Sequence, residues 1–228
     1  MTYTLSTHSD AVHAALHLLA DDMGCEIPPS DTSQERAYLR ALMNLRDPAP
    51  LPDGYREAEG IVLDTERERQ GTATWEDATA SSTHPRMALW RGDITRLEVD
   101  AIVNAANSAL LGCRAPGHTC IDNAIHSAAG LELRQACAEV MAERTRGDGP
   151  SGFPTGEAVL TPGFHLPSRF VIHTVGPNRH AGQTDPELLR SAFASSIGLA
   201  ADLGCRSVSL PAISAGVYGW PSDDAARI

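Results

Sequence analysis

Cys113, His118 and Cys120 stand within eight residues of one another, interrupted by Pro116 and Gly117, a composition that makes a loop rather than a helix. Two thiolates and an imidazole are donors that suit zinc, and three protein ligands leave a tetrahedral ion one open corner for water or substrate. Structural zinc sites recruit a fourth side chain, and no second Cys/His pair lies nearby. The C-x4-H-x-C spacing is none of the usual finger patterns. The residues alone therefore leave a second reading open, with Cys113 and Cys120 as small buried hydrophobes and His118 as a surface residue.

The flanking residues could complete such a site. Asn104 and Asn107 follow a short apolar run, and an amide side chain suits sugar hydroxyls because it both donates and accepts. Both also suit an Asn-stabilised turn; Asn104, nearer the strand, is expected to brace the loop and leave Asn107 freer for a ligand. Cys120 precedes an expected helix whose dipole would favour its thiolate. Asp122 and His126 lie one helical turn apart, as an acid/base pair beside an ion or as a helix-surface pair.

Two further stretches carry chemistry. Asp93, in RGDIT, ends an apolar run and could accept from an exocyclic amine such as that of adenine, or simply cap the next turn. Pro211 to Gly219 reads PAISAGVYG, where small residues and glycines let successive N–H groups converge on phosphate oxygens without a lysine. Tyr218 could flank a sugar or base there. A tight strand-to-helix connection is the rival reading. The absence of a Walker lysine motif, a G-x-S-x-G elbow and an H-E-x-x-H helix removes three common enzyme classes.

The elements that must position these residues are short apolar runs at 87–90, 101–103, 158–160, 170–172 and 208–210, read as strands. Helical spacing fits 121–129, 131–144 and 186–203. Strands alternating with helices predict an α/β layer structure whose ligands sit beyond the C-terminal strand ends. Before residue 87 the grammar is helical. Ser9 is placed to cap a helix ended by Gly24, Thr32 and Glu35 to form a capping box over 31–46, and a third amphipathic stretch runs from 55 to 70. His8, His13 and His17 read as a solvated face, for want of an acidic or Cys partner, and 71–85 reads as a polar linker.

With 228 residues the chain has room for one large domain with an extension. A net charge of −11 argues against an electrostatic grip on nucleic acid or an anionic membrane, so an anionic ligand must be held by local dipoles. No signal peptide or membrane span is evident, which predicts a cytoplasmic protein, and five scattered cysteines favour free thiols or metal ligands over disulfides.

Together, RGDITRLEVDAIVNAAN, the Cys/His loop with CIDNAIH, FPTGEAVLTPGF, FVIHTVGP and LPAISAGVYGWP closely resemble the macrodomain family, in order and spacing, from Met87 to Ile228. Ordinary macrodomains carry a glycine run where this chain has its Cys/His loop; that difference, with the N-terminal helices, resembles the zinc-containing branch found beside microbial sirtuins. The resemblance implies a three-layer α/β/α domain with a mixed central sheet at 87–228, a helical extension and linker at 1–86, and hydrolytic removal of mono-ADP-ribose from a modified protein. By matching position, Asp93 and Ile94 would hold adenine, Ser214, Ala215, Gly216, Val217 and Tyr218 the diphosphate and distal ribose, and Asn107 the distal ribose. Cys113, His118 and Cys120 would bind zinc, and Cys120, Ile121 and Asp122 would lie against the ligand, with Asn107 and Asp122 catalytic. A sirtuin-type ADP-ribosyltransferase system is the implied partner. A non-catalytic ADP-ribose reader and an O-acetyl-ADP-ribose deacetylase remain alternatives. The family pattern continues through a full final helix and another strand, so a sequence stopping at Ile228 is expected to be a fragment at that end.

Overall fold

The computed structural model describes residue 3, residues 5–145 and residues 152–228. Three helices come first, α1 (His8–Met23), α2 (Thr32–Leu45) and α3 (Tyr55–Gln70). Val12, Leu16 and Leu19 recur at helical spacing and close against Leu39, Met43, Tyr55 and Val62 in a core of their own. Burying each large side chain contributes roughly 1.5–3 kcal/mol.

The helix starts differ from expectation by one or two residues. Thr7, not Ser9, caps α1 in a reciprocal box with Asp10, and Asp31 with Gln34 takes the place expected of Thr32 with Glu35. Each cap keeps extended backbone so that its oxygen can meet the third helical N–H; Ser9 and Thr32 already lie inside their helices. Gly24 closes α1 in the left-handed region, φ 64°, as expected. The histidines do have acidic partners, which neighbouring helices supply: His13 Nδ1 is 2.9 Å from Glu35 Oε1 of α2 and His8 Nε2 3.2 Å from Glu66 Oε1 of α3.

The rest is built on a four-stranded mixed sheet in the order β4-β5-β3-β6, where β3 is Ala101–Ala105, β4 Ala158–Pro162, β5 Phe170–Thr174 and β6 Val208–Ser209. β3 runs parallel to β5 and β6, and β4 antiparallel to β5. α4 (Ile121–Ala129) and α5 (Leu131–Thr145) carry the apolar residues that meet one face, and α6 (Pro186–Asp202) with α7 (Ser222–Arg227) the other, giving three layers. Strand alternation decides which side chains reach the site. Ile102 and Val171 face α4 and α5, so Asn104 and His173, two residues on, point the same way.

The run at 87–90 is not a strand of this sheet. Ala88–Leu89 (β2) pairs with Thr79–Ala80 (β1) in a separate two-stranded ribbon, with Met87 and Leu89 exposed. A two-residue strand cannot be told from a core strand by its apolar letters. Nor is 71–85 a bare linker, for Ala73 is buried in the sheet-side core and bridges Leu97.

Buried polar groups join the helical layer to the sheet layers. Glu59 Oε1 accepts from Tyr55 OH and from Leu131 N–H, each at 3.0 Å, while its Oε2 has no partner. Burial raises its pKa above the ordinary 4.5, against the lowering effect of those two bonds. A raised folded pKa means that the fold holds the proton more tightly than the unfolded chain, so stability declines as pH rises from the ordinary carboxyl range through the folded value. Glu59→Gln keeps an acceptor for both bonds. It is expected to raise stability at pH 7 by on the order of 1 kcal/mol and to remove that decline, read from urea midpoints between pH 4.5 and 8.

Candidate active site

β3 delivers Asn104, fully buried, and the loop after it delivers Asn107. Both amides donate to one carboxylate. Asn104 Nδ2 is 2.8 Å from Asp122 Oδ1 and Asn107 Nδ2 3.0 Å from Asp122 Oδ2. The bracing role expected of Asn104 falls to Asn107, which also donates to Gly112 O at 3.0 Å and accepts from Ala109 N at 2.9 Å. Asn104 instead reaches back to His173 Nδ1 at 3.2 Å. Asp122 sits in the first turn of α4 with 4% of its surface exposed, and burial pushes its pKa up to about 6 against the pull of Asn104, Arg134 and Asn107.

The Cys/His loop leads into the helix that carries Asp122. Cys113 Sγ and His118 Nδ1 are 3.4 Å apart, and one donor atom from each of Cys113, His118 and Cys120 lies within 4.8 Å of the others. Two sulfurs and a nitrogen so gathered, all half-buried, form a donor set that fits zinc. Cys120 caps α4, accepting from Asn123 N at 3.4 Å, so it is at the helix N-terminus as expected. The dipole does not win there: burial, then the neighbouring Cys113 thiol, raise the Cys120 pKa to about 11 despite the Asn123 bond. A cation between the sulfurs reverses that balance by favouring both thiolates.

His126 is no surface pair with Asp122. It is buried, its Nε2 lies 3.6 Å from Asp122 Oδ1, and neither ring nitrogen has a hydrogen-bond partner. Gly112 covers it at φ 77°, where a Cβ would come within 2.8 Å of the ring; this loop position needs glycine on both counts. Behind it lies His173, whose Nδ1 accepts from Asn104, so the proton sits on Nε2, 2.9 Å from Thr161 Oγ1. Burial lowers the His173 pKa to about 3, and burial with His173 and Arg134 pushes that of His126 well down. Both imidazoles are neutral in the fold, so their contribution is complete above the ordinary histidine value near 6.5 and is lost as pH falls below it. His173 alone is expected to withdraw about 2–3 kcal/mol between pH 6.5 and 4.5. Urea midpoints across that window should fall steeply in the wild type and less in His173→Gln.

The loop from Ile213 to Trp220 holds the residues expected of an N–H nest. Ser214 adopts φ 63° and is buried against Gly176, where a Cβ would lie 2.2 Å from its Oγ. Ala215 and Gly219 N–H groups close turns inside the loop, onto Ala212 O and Gly216 O. Those of Gly216, Val217 and Tyr218 bond to nothing among the described residues. Burial, then the charge of Asp122, raise the Tyr218 pKa. Asp93 does cap the turn after it, its Oδ1 accepting from Thr95 N–H and Oγ1 at 2.9 and 2.7 Å, and Ile94 follows half-buried.

Sequence reasoning missed the residues that hold the loop from behind. Asn123 Nδ2 donates to Asn44 Oδ1 of α2 at 2.9 Å and to the carbonyls of Cys113 and Ala115. Arg114 pairs with Asp47 and donates to Leu45 O, while Arg134 donates to Leu111 O, Met43 O and Arg46 O. The N-terminal helices therefore build the floor of the Cys/His loop. The one available signal was Asn44, a polar residue beside the apolar stripe of α2.

The macro domain family model matches residues 103–228, the sheet, the Cys/His loop and the nest. The chain belongs to the macro domain family. A protein-ADP-ribose hydrolase of Treponema medium is 39% identical over 204 residues, 88% of this chain and 76% of that protein, so the likeness extends into the helices that precede the matched macrodomain. The Oceanobacillus iheyensis macrodomain solved with ADP superposes with a TM-score of 0.53 at 44% identity, covering 59% of this chain and 67% of that one. The Trypanosoma brucei macrodomain in complex with ADP-ribose gives 0.58 at 32% identity, covering 82% and 78%. No helix among the described residues of this macrodomain is long and apolar enough to cross a membrane.

Proposed function

We propose that this macrodomain is a zinc-dependent protein mono-ADP-ribosylhydrolase, cleaving the bond between C1″ of ADP-ribose and a protein side chain. Its relatives named protein-ADP-ribose hydrolases support the hydrolase class. The observation that carries the zinc reading is the convergence of Cys113, His118 and Cys120, the last of which stands two residues before a buried carboxylate held by two amides. Those three residues would hold zinc, which when bound supplies Lewis acidity toward a ribose oxygen or water.

The chain's own groups divide the remaining work. The free N–H groups of Gly216, Val217 and Tyr218 receive diphosphate oxygens, which lets a chain of net charge −11 hold an anion without a lysine. Ser214 and Ala215 set that loop's curvature. Asp93 keeps Oδ2 for the adenine amine, with Ile94 beside the ring. Ile121 and Cys120 form the wall under the distal ribose. Asn107 spends both amide hydrogens on Gly112 and Asp122, yet its Oδ1 keeps a lone pair for a sugar hydroxyl. Asp122 orients the attacking water and takes its proton as the new C1″–O bond forms, while the departing side chain leaves with the electron pair of the broken bond and takes up a proton. The transferase that supplies such a substrate would be of the sirtuin type, and both would share the cytoplasm.

Incubation with a mono-ADP-ribosylated protein tests this reading. Release of free ADP-ribose at a rate exceeding that on O-acetyl-ADP-ribose is the expected result. Tight retention of the modified protein with no release would make the chain a reader, and faster cleavage of the ester a deacetylase.

A further inference from the structure

A cavity of about 200 Å³ lies where α2 and α3 meet the sheet layers, and its walls carry four arginines, Arg36, Arg40, Arg67 and Arg96, against two carboxylates, Glu66 and Asp93. That sign is opposite to the −11 of the whole chain. Two of the arginines are spent on carboxylates: Arg36 grips Glu66 with both Nε and Nη2, at 2.7 and 2.8 Å, and Arg67 lies 3.1 Å from Asp64. The other two are not. Arg40 donates to Asn123 Oδ1 at 2.9 Å and its buried Nε has no acceptor; Arg96 donates to Gly71 O at 3.0 Å. Among the described residues neither forms an ion pair, although both are half-buried and acidic residues outnumber basic ones by 29 to 18.

A half-buried guanidinium without a counter-charge carries a desolvation cost that an oxyanion would offset. The planar fork of arginine matches phosphate in particular. Asp93 and Thr95 form part of the cavity wall, so the cavity touches the residue given above to the adenine amine. We propose that Arg40 and Arg96 form a phosphate subsite beyond the adenosine end of the nucleotide pocket, roofed by the N-terminal helices. The phosphate is either carried on the adenosine ribose, as a 2′-phosphomonoester of ADP-ribose, or free in solution. The cavity has room for such a group together with ordered water. The first source rests on the ADP-ribose reading; the second does not.

Calorimetry at fixed ionic strength on the whole chain separates these cases, using ADP-ribose, its 2′-phosphate and inorganic phosphate, with Arg96→Gln and Arg40→Gln as variants. If the nucleotide carries the group, the 2′-phosphate binds about tenfold tighter than ADP-ribose, and that ratio falls to about one in each variant. If free phosphate is the ligand, it titrates in the presence of saturating ADP-ribose and is lost in each variant. Arg40 also braces Asn123, so urea midpoints confirm that each variant is folded, and Arg96→Gln alone decides if Arg40→Gln is not. The subsite is refuted if wild type shows neither preference nor phosphate binding, or if folded variants retain them. Failure of ADP-ribose itself to bind would overturn the proposed function, while the phosphate titration would still decide the cavity.

Discussion

Cys113→Ala is expected to bring the zinc content of the purified chain from about one equivalent to under a tenth of that, and ADP-ribose release down by about a thousandfold. Three donors around one open corner are the minimum of a catalytic zinc site, and removing a thiolate leaves a thiol and an imidazole that hold the ion weakly. Lewis-acid stabilisation of several kcal/mol corresponds to about three orders of magnitude in rate. The substitution is mild for the fold. The Cys113 carbonyl still accepts from Asn123, and the Sγ lost touches only the other two donors of the loop, His118 and Cys120. Elemental analysis and single-turnover release are read on the same preparation. Wild-type turnover from a metal-free variant would end the case for zinc dependence.

Replacing Asp122 by Ala should lower the single-turnover rate by about 10²–10⁴-fold while ADP-ribose affinity changes little, since a general base acts in the transition state rather than in the bound complex. The same change deprives Asn104 Nδ2 of an acceptor in the core and costs about 1–3 kcal/mol of stability. The two effects separate cleanly. Stability is read from denaturation, and chemistry from the rate at saturating substrate in protein shown to be folded and zinc-loaded. A folded, loaded Asp122→Ala within threefold of the wild-type rate would remove the carboxylate from the mechanism and leave it a purely structural anchor.

Most of what touches the ligand in this reading was legible in the letters because it is local. The Cys/His grouping, the place of Cys120 at the start of α4 and the turns around Gly216 are each made within a few residues of chain, where spacing and backbone preference act directly. The helices at 121–129 and 55–70 follow from period alone. Short strands were less legible: 87–90 and 101–103 look alike as apolar runs, and only partner strands made one an outer ribbon and the other the centre of the sheet.

What lies behind the site belongs to tertiary structure. Asn104 meets His173 because β3 and β5 pair in one register, and Asn44 meets Asn123 because α2 docks on α4, contacts bridging 69 and 79 positions of chain. The rise of the Asp122 pKa and the neutrality of His126 follow from the same packing, since the charge a side chain keeps depends on how much water its neighbours exclude. Sequence determined which donors exist and which turns present them. Packing determined which donors share a carboxylate, because a hydrogen bond needs its partners within about 3 Å, and no local rule brings distant segments that close.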